Sequence, residues 1–177
     1  MIVTERLDLV PATPESTRSA LAGSSALAAS LAASVPDTWP PEYLDAPALE
    51  YTLARLLEGP HNAGWWLHFI VLKSDDVGRT LIGSGGYKGP PSADGTVEVG
   101  YGIVSDRRRR GYASEATRGL LAHAFAMPRV RRAIAETLPQ LAPSIGVLTK
   151  CGFRPIGEGS EPGVIRFELT RAGWPIG

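Results

Sequence analysis

At 177 residues the chain fits a single domain, 1–177, long enough to bury a real core. With 44% hydrophobic and 20% charged residues it is neither a disordered chain nor a highly charged scaffold. Eighteen Lys and Arg balance eighteen Asp and Glu, which argues against a strongly basic nucleic-acid surface, and the lone Cys151 excludes internal disulfides and cysteine-based metal sites.

The three histidines, His61, His68 and His123, form no metal-binding motif, so no metal is expected. The start, MIVTERLDLV, is unlike a signal peptide and no apolar run approaches a membrane span, so the expected location is cytoplasmic. The zero net charge conceals an asymmetry. Residues 1–50 hold two arginines against seven acids, a net of −5, while residues 101–132 hold eight arginines against two acids, a net of +6. The basic centre suits a polyanionic ligand and the acidic entrance a cationic one.

In chain order, Ile2 to Val10 reads as a strand stopped by Pro11. Thr13-Pro14-Glu15 supplies a cap, a first-turn proline and a first-turn acid for a helix. The Ala- and Leu-rich stretch from Ser16 to Ala33 predicts one helix broken near Gly23 or two short ones. Residues 36–47 form an irregular Pro-rich loop carrying Trp39 and Tyr43. Leu49, Leu53, Leu56 and Leu57 then predict a helix over Pro47 to Glu58, ended by Gly59-Pro60.

From Gly64 the pattern turns to strands: Trp65 to Leu72, a turn at Asp75-Asp76-Val77-Gly78, then Thr80 to Tyr87. A second turn leads into Thr96 to Val104, whose odd positions Val97, Val99, Tyr101 and Ile103 share a face. A helix follows Arg110-Gly111 and stops at Met127-Pro128. Val130 to Glu136 is the next strand. Pro143-Ser144-Ile145 opens a last helix that ends at Cys151-Gly152 with a glycine cap. Phe153 to Ile156 and Val164 to Leu169 close the chain as a strand pair. The expected class is α/β, a single mixed and partly antiparallel sheet flanked by helices.

The informative stretch is Val104-Ser105-Asp106-Arg107-Arg108-Arg109-Arg110-Gly111-Tyr112-Ala113-Ser114-Glu115-Ala116. A strand leads into a basic, glycine-containing loop that opens onto a helix, and free N–H groups at a helix start form an anion site. A solvated arginine loop and a pyrophosphate-bearing ligand remain open on this pattern, while a nucleic-acid contact is disfavoured by the zero net charge and the lack of a basic stripe with stacking aromatics. Rossmann and Walker loops are absent.

Arg108-Arg109-Arg110-Gly111-Tyr112-Ala113 resembles the (Gln/Arg)-x-x-Gly-x-(Gly/Ala) motif of the GNAT superfamily of acyl-CoA-dependent N-acyltransferases. Thr4-Glu5-Arg6-Leu7, Leu81-Ile82-Gly83, Val97-Glu98-Val99-Gly100-Tyr101, and Ser144 through Lys150-Cys151-Gly152-Phe153 are similar in order and spacing. The resemblance spans nearly the whole chain and is greatest to the branch containing the ribosomal-protein N-terminal acetyltransferases.

The resemblance implies acetyl-CoA as cosubstrate and an amine acceptor, a protein N-terminus or a small amine, in a monomer or homodimer. It implies that Arg108, Arg109, Arg110, Gly111, Ala113 and Ser114 hold the CoA pyrophosphate. The pantetheine arm would pair with the edge of Tyr101, Ile103 and Val104, a backbone N–H near Ile103 would serve the oxyanion, and Glu98 would be the base. Many relatives carry a tyrosine four residues before the Gly-Phe pair; here that residue is Leu148. Ser144 is then the hydroxyl suited to the thiol, or else it caps the last helix. Cys151 reads as a buried structural thiol, while Trp39, Tyr43, Trp65 and Trp66 are candidates for an acceptor wall. The competing class is a module of the same fold that binds acyl-CoA or nucleic acid without turnover.

Overall fold

The computed structural model describes residues 1–75 and 78–175. The expected turn at Asp75-Asp76-Val77-Gly78 therefore lies in part outside the described residues. An eight-stranded sheet forms in the order β1-β2-β3-β4-β5-β6-β8-β7, with β1 Ile2–Val3, β2 Leu7–Pro11, β3 Leu67–Asp75, β4 Gly78–Tyr87, β5 Thr96–Ile103, β6 Arg132–Thr137, β7 Arg154–Glu158 and β8 Ile165–Thr170. Among the described residues five α-helices accompany it: α1 Pro14–Ala22, α2 Ser24–Leu31, α3 Ala46–Leu57, α4 Tyr112–Ala126 and α5 Ala142–Lys150. The mixed α/β class and the single sheet are as the sequence predicts.

Several boundaries shift by one to three residues from expectation, and two of the differences have a clear physical cause. The first strand is two, because Thr4 turns the chain back on itself, its N–H donating to the Leu7 carbonyl and its hydroxyl accepting from the Leu7 N–H. The strand expected from Val130 begins at Arg132, since Val130 belongs to a turn in which its N–H donates to the Met127 carbonyl. Helix signals were followed closely. Thr13 and Ser16 form a reciprocal capping box with Pro14 at the first turn of α1, Gly23 (φ 121°) separates α1 from α2, and Asp45 caps α3. At the end of α5, Gly152 takes φ 92°, and Gly152 and Phe153 donate to the Thr149 and Leu148 carbonyls as a glycine C-cap requires.

Strand alternation divides the core between the two faces of the sheet. Ile70, Leu72 and Ile82 face a cluster with Ala116, Leu120 and Leu121 of α4 and Leu148 of α5. Phe69, Val71 and Leu81 face the opposite cluster with Leu27 and Leu31 of α2. Val97, Val99 and Ile103 of β5 all lie under α4, with Tyr101 half-buried against the same cluster. Covering both faces fixes the central strands and leaves the ends of the later strands free to build a site.

Those ends separate. β5 and β6 run parallel and pair only where Thr96, Val97 and Glu98 oppose Arg132, Ala133 and Ile134. Arg132 pins this closed end, donating to Thr96 Oγ1 at 2.7 Å, Glu168 Oε1 at 3.0 Å and Asp94 Oδ2 at 2.9 Å. Beyond it β5 continues with β4 and β6 continues with β8, so a cleft opens between them.

Candidate active site

The cleft holds a cavity of about 850 Å³, within the range of small-molecule and cofactor sites. One wall is the edge of β5. The Glu98 carbonyl accepts from Lys88 and the Val104 N–H donates to Ile82, so even-numbered residues of β5 turn their polar backbone toward β4. By alternation the N–H and C=O groups of Val99, Tyr101 and Ile103 face the cleft, where β6 no longer pairs with them. An extended ligand arm can supply that pairing.

The loop after β5 forms the mouth. Arg109 (φ 63°) and Gly111 (φ 85°) both adopt left-handed backbone, and α4 begins at Tyr112 with no side chain capping its N–H groups. Gly111, Tyr112, Ala113 and Ser114 line the cavity together with Arg107, Arg108, Arg109 and Lys150. Free amides, the positive end of the α4 dipole and several cations thus converge, which is the chemistry of a diphosphate site.

The loop is held from outside by the turn between β1 and β2. Glu115 accepts from the Arg6 N–H and Nε at 2.7 Å each and from the Thr4 hydroxyl at 2.6 Å. Arg6 also donates to the Arg110 carbonyl at 3.1 Å, and its guanidinium stacks 4.6 Å above the Tyr112 ring. Burial pushes the Glu115 carboxyl up, but the Thr4 and Arg6 hydrogen bonds outweigh it, and the group stays below the usual carboxylate range. The acid in the first turn of α4 is a bracket for the loop.

Of the residues singled out from sequence, Tyr101, Ile103, Arg108, Arg109, Gly111, Ala113, Ser114 and Ser144 line the cavity together. Arg108 also donates to the Ile103 carbonyl at 2.9 Å and lies 3.6 Å from Glu42. Glu98, Val104 and Arg110 are not among the lining residues. Val104 is fully buried, Arg110 presents its carbonyl to Arg6, and Glu98 is ion-paired with Lys88, which does line the cavity. Ser144 does not cap α5: the cap position is Leu141, with no side-chain bond, and the Ser144 hydroxyl faces the phenol of Tyr101.

Among the four aromatics considered for an acceptor wall, only Tyr43 lines the cavity, 74% exposed and with φ 69°. Trp65 is buried against Tyr87, Trp39 packs against both core clusters, and Trp66 donates its indole N–H to Asn62. Cys151 is buried outside the cavity beside the Ser114 carbonyl, and burial pushes its thiol up, away from nucleophilic use.

The cavity is also lined by Glu42, Tyr43, Lys88, Glu136 and Glu161. Glu136 accepts from the Ser160 N–H at 2.9 Å, the Ser160 hydroxyl at 2.6 Å and Arg166 Nε at 2.8 Å, which ties the β7–β8 loop to β6. No local sequence pattern marks Glu136 or Glu161; the adjacency of β6 and β8 brings them to the cleft. Among the described residues no group of His, Cys, Asp and Glu is placed to hold a metal ion, and no helix is long and apolar enough to cross a membrane.

Comparison with known proteins agrees with this geometry. A family model described as "Acetyltransferase (GNAT) domain" matches residues 6–154. Two curated relatives are each 31% identical: the uncharacterized N-acetyltransferase YjdG of Bacillus subtilis (strain 168), over 48% of this chain and 49% of that protein, and the uncharacterized N-acetyltransferase p20 of Bacillus licheniformis, over 57% and 53%. The chain thus spans about half the length of the curated relatives it matches. Among solved structures, the ribosomal L7/L12 α-N-protein acetyltransferase RimL in complex with coenzyme A superposes with a TM-score of 0.67 at 16% identity, covering 95% of this chain and 96% of that one. The microcin C7 self-immunity acetyltransferase MccE, in complex with acetyl-CoA and AMP, gives 0.63 at 13% identity over 94% and 93%. A GNAT-family acetyltransferase from Bacillus anthracis gives 0.61 at 21% identity over 97% and 98%.

Proposed function

The chain belongs to the acetyltransferase (GNAT) domain family, and from that premise we propose that it is an N-acetyltransferase transferring the acetyl group of acetyl-CoA to a primary amine, a protein N-terminus or a small amine. The observation that carries this reading is the parting of β5 from β6 directly behind an uncapped, arginine-rich helix start. One cavity then joins an anion site to an open strand edge.

In this reading the amides of Gly111, Ala113 and Ser114, with Arg108 and Arg109, bind the CoA diphosphate. The open edge of Tyr101 and Ile103 pairs with the pantetheine arm, and an N–H on that edge near Ile103 faces the developing oxyanion. Val104 and Arg110, placed outside the cavity, support the strand and loop without touching the ligand. The acceptor enters past Glu42, Tyr43 and Glu161, whose two carboxylates suit an ammonium. Glu98 receives the amine proton by way of Lys88 or water, since its Lys88 partner lines the cavity and Glu98 itself does not. RimL, a protein α-N-acetyltransferase by name, supports a protein N-terminus as acceptor.

The competing reading, a module that binds acyl-CoA without turnover, draws on the same pairing of Glu98 with Lys88. A thiol-release assay with acetyl-CoA and a panel of N-terminal peptides and small amines separates the two. Acceptor-dependent release supports transfer; tight CoA binding with no release for any amine supports the module.

A further inference from the structure

We propose that the phenol of Tyr101 is a positioning residue that aims the Ser144 hydroxyl at the leaving sulfur of the thioester; this rests on the acetyl-transfer reading above. Tyr101 stands on β5 and Ser144 in the first turn of α5, 43 positions apart, and both line the same cavity. Tyr101 Oη donates to the Ser144 carbonyl at 3.0 Å and lies 3.4 Å from Ser144 Oγ.

The contrast with other helical hydroxyls is informative. Thr149 Oγ1 donates back to the Ile145 carbonyl at 2.9 Å, and Thr117 Oγ1 to the Ala113 carbonyl at 2.8 Å, the usual fate of such groups. Ser144 Oγ makes neither that bond nor a cap, and its one hydrogen bond among the described residues is the long one to Tyr101. Burial pushes the Tyr101 phenol up to about 12, so it remains a donor at neutral pH and fixes the first turn of α5 by its carbonyl. Leu148, buried against the core, offers no hydroxyl from the next turn.

The step balances without a further reactant. The acceptor nitrogen bonds to the acetyl carbon, the carbon–sulfur bond breaks, and its electron pair goes to sulfur. Ser144 Oγ–H, which Tyr101 Oη accepts at rest because its own proton goes to the Ser144 carbonyl, turns to donate to that sulfur, while Tyr101 keeps its proton and its bond to the carbonyl. The proton shed by nitrogen goes to the base, and sulfur takes one from solvent on release.

Tyr101→Phe keeps the packed ring and removes only Oη. A hydrogen bond to a group gaining charge corresponds to about ten-fold or more in rate, so kcat should fall by at least about ten-fold with the KM for acetyl-CoA within two-fold. Ser144→Ala should fall at least as far, and the double variant no further than Ser144→Ala alone. A binding readout is independent of turnover: by calorimetry at pH 8.5 the wild type should prefer CoA to desulfo-CoA several-fold, and each single variant should lose that preference. Unchanged kcat and preference in Tyr101→Phe overturns the proposal, as do losses that multiply in the double variant. Failure of the acetyl-transfer reading looks different, with the wild type releasing no thiol for any amine whether or not it binds CoA, and it removes this proposal too.

Discussion

Replacing Arg6 with alanine should loosen the cofactor loop from a position outside the cavity. The substitution deletes the 2.7 Å bond from Nε to Glu115, the 3.1 Å bond to the Arg110 carbonyl, and the stacking over Tyr112. It leaves the backbone N–H bond to Glu115 and the Thr4 bond in place. Arg6 is 42% exposed and Glu115 16%, so solvent screens the pair, and the whole loss should be about 2 kcal/mol. For a domain of this size that corresponds to a fall in Tm of about 4–8 °C. Urea and thermal unfolding measure the first effect, and calorimetry with CoA measures the second, a several-fold weaker affinity with kcat at saturation preserved. A Tm drop of that size with CoA affinity unchanged would refute the reasoning, because the loop would then not depend on its bracket.

Acid should weaken the fold through His68, which is 2% exposed and whose imidazole burial pushes down to about 4. The unfolded chain binds the proton first, so stability falls as pH drops from about 6.5 toward 4, by about 2 kcal/mol between pH 7 and pH 5; urea titrations at the two pH values should show this, and His68→Gln should flatten it. Glu98→Gln should lower turnover by about a hundred-fold where the amine is protonated, with CoA affinity kept; a pH–rate profile equal to wild type would exclude Glu98 as the base. Raising salt should increase the KM of a cationic acceptor, since Glu42 and Glu161 line the cavity; a salt-independent KM would mean these acids do not steer it.

Local physics made most of the fold readable. Period-two alternation in Val97 to Ile103 places one face of β5, Thr13-Pro14 starts a helix, and Gly152 ends one, each within a few residues of chain. The anion loop was legible for the same reason: Gly111 and the arginines around it are neighbours in sequence. What could not be read depends on partners far apart. Alternation puts Glu98 on the face of β5 away from Val97 and Val99, but its pairing with Lys88 follows from the β4–β5 register. Ser144 sits where a cap would be read from sequence, yet the turn before α5 makes Leu141 the cap and leaves the hydroxyl to Tyr101. Glu136 and Glu161 reach the cleft only because the sheet order sets β8 beside β6.

The separation of β5 from β6 also sets stability against use. A sheet that zipped the two strands from Glu98 onward would satisfy more backbone groups internally and resist unfolding better. It would also seal the cleft. Selection for robustness alone would therefore drive this fold toward an inert, tighter relative, and substitutions near Val99 to Ile103 that raise thermal stability are the ones to suspect when activity disappears.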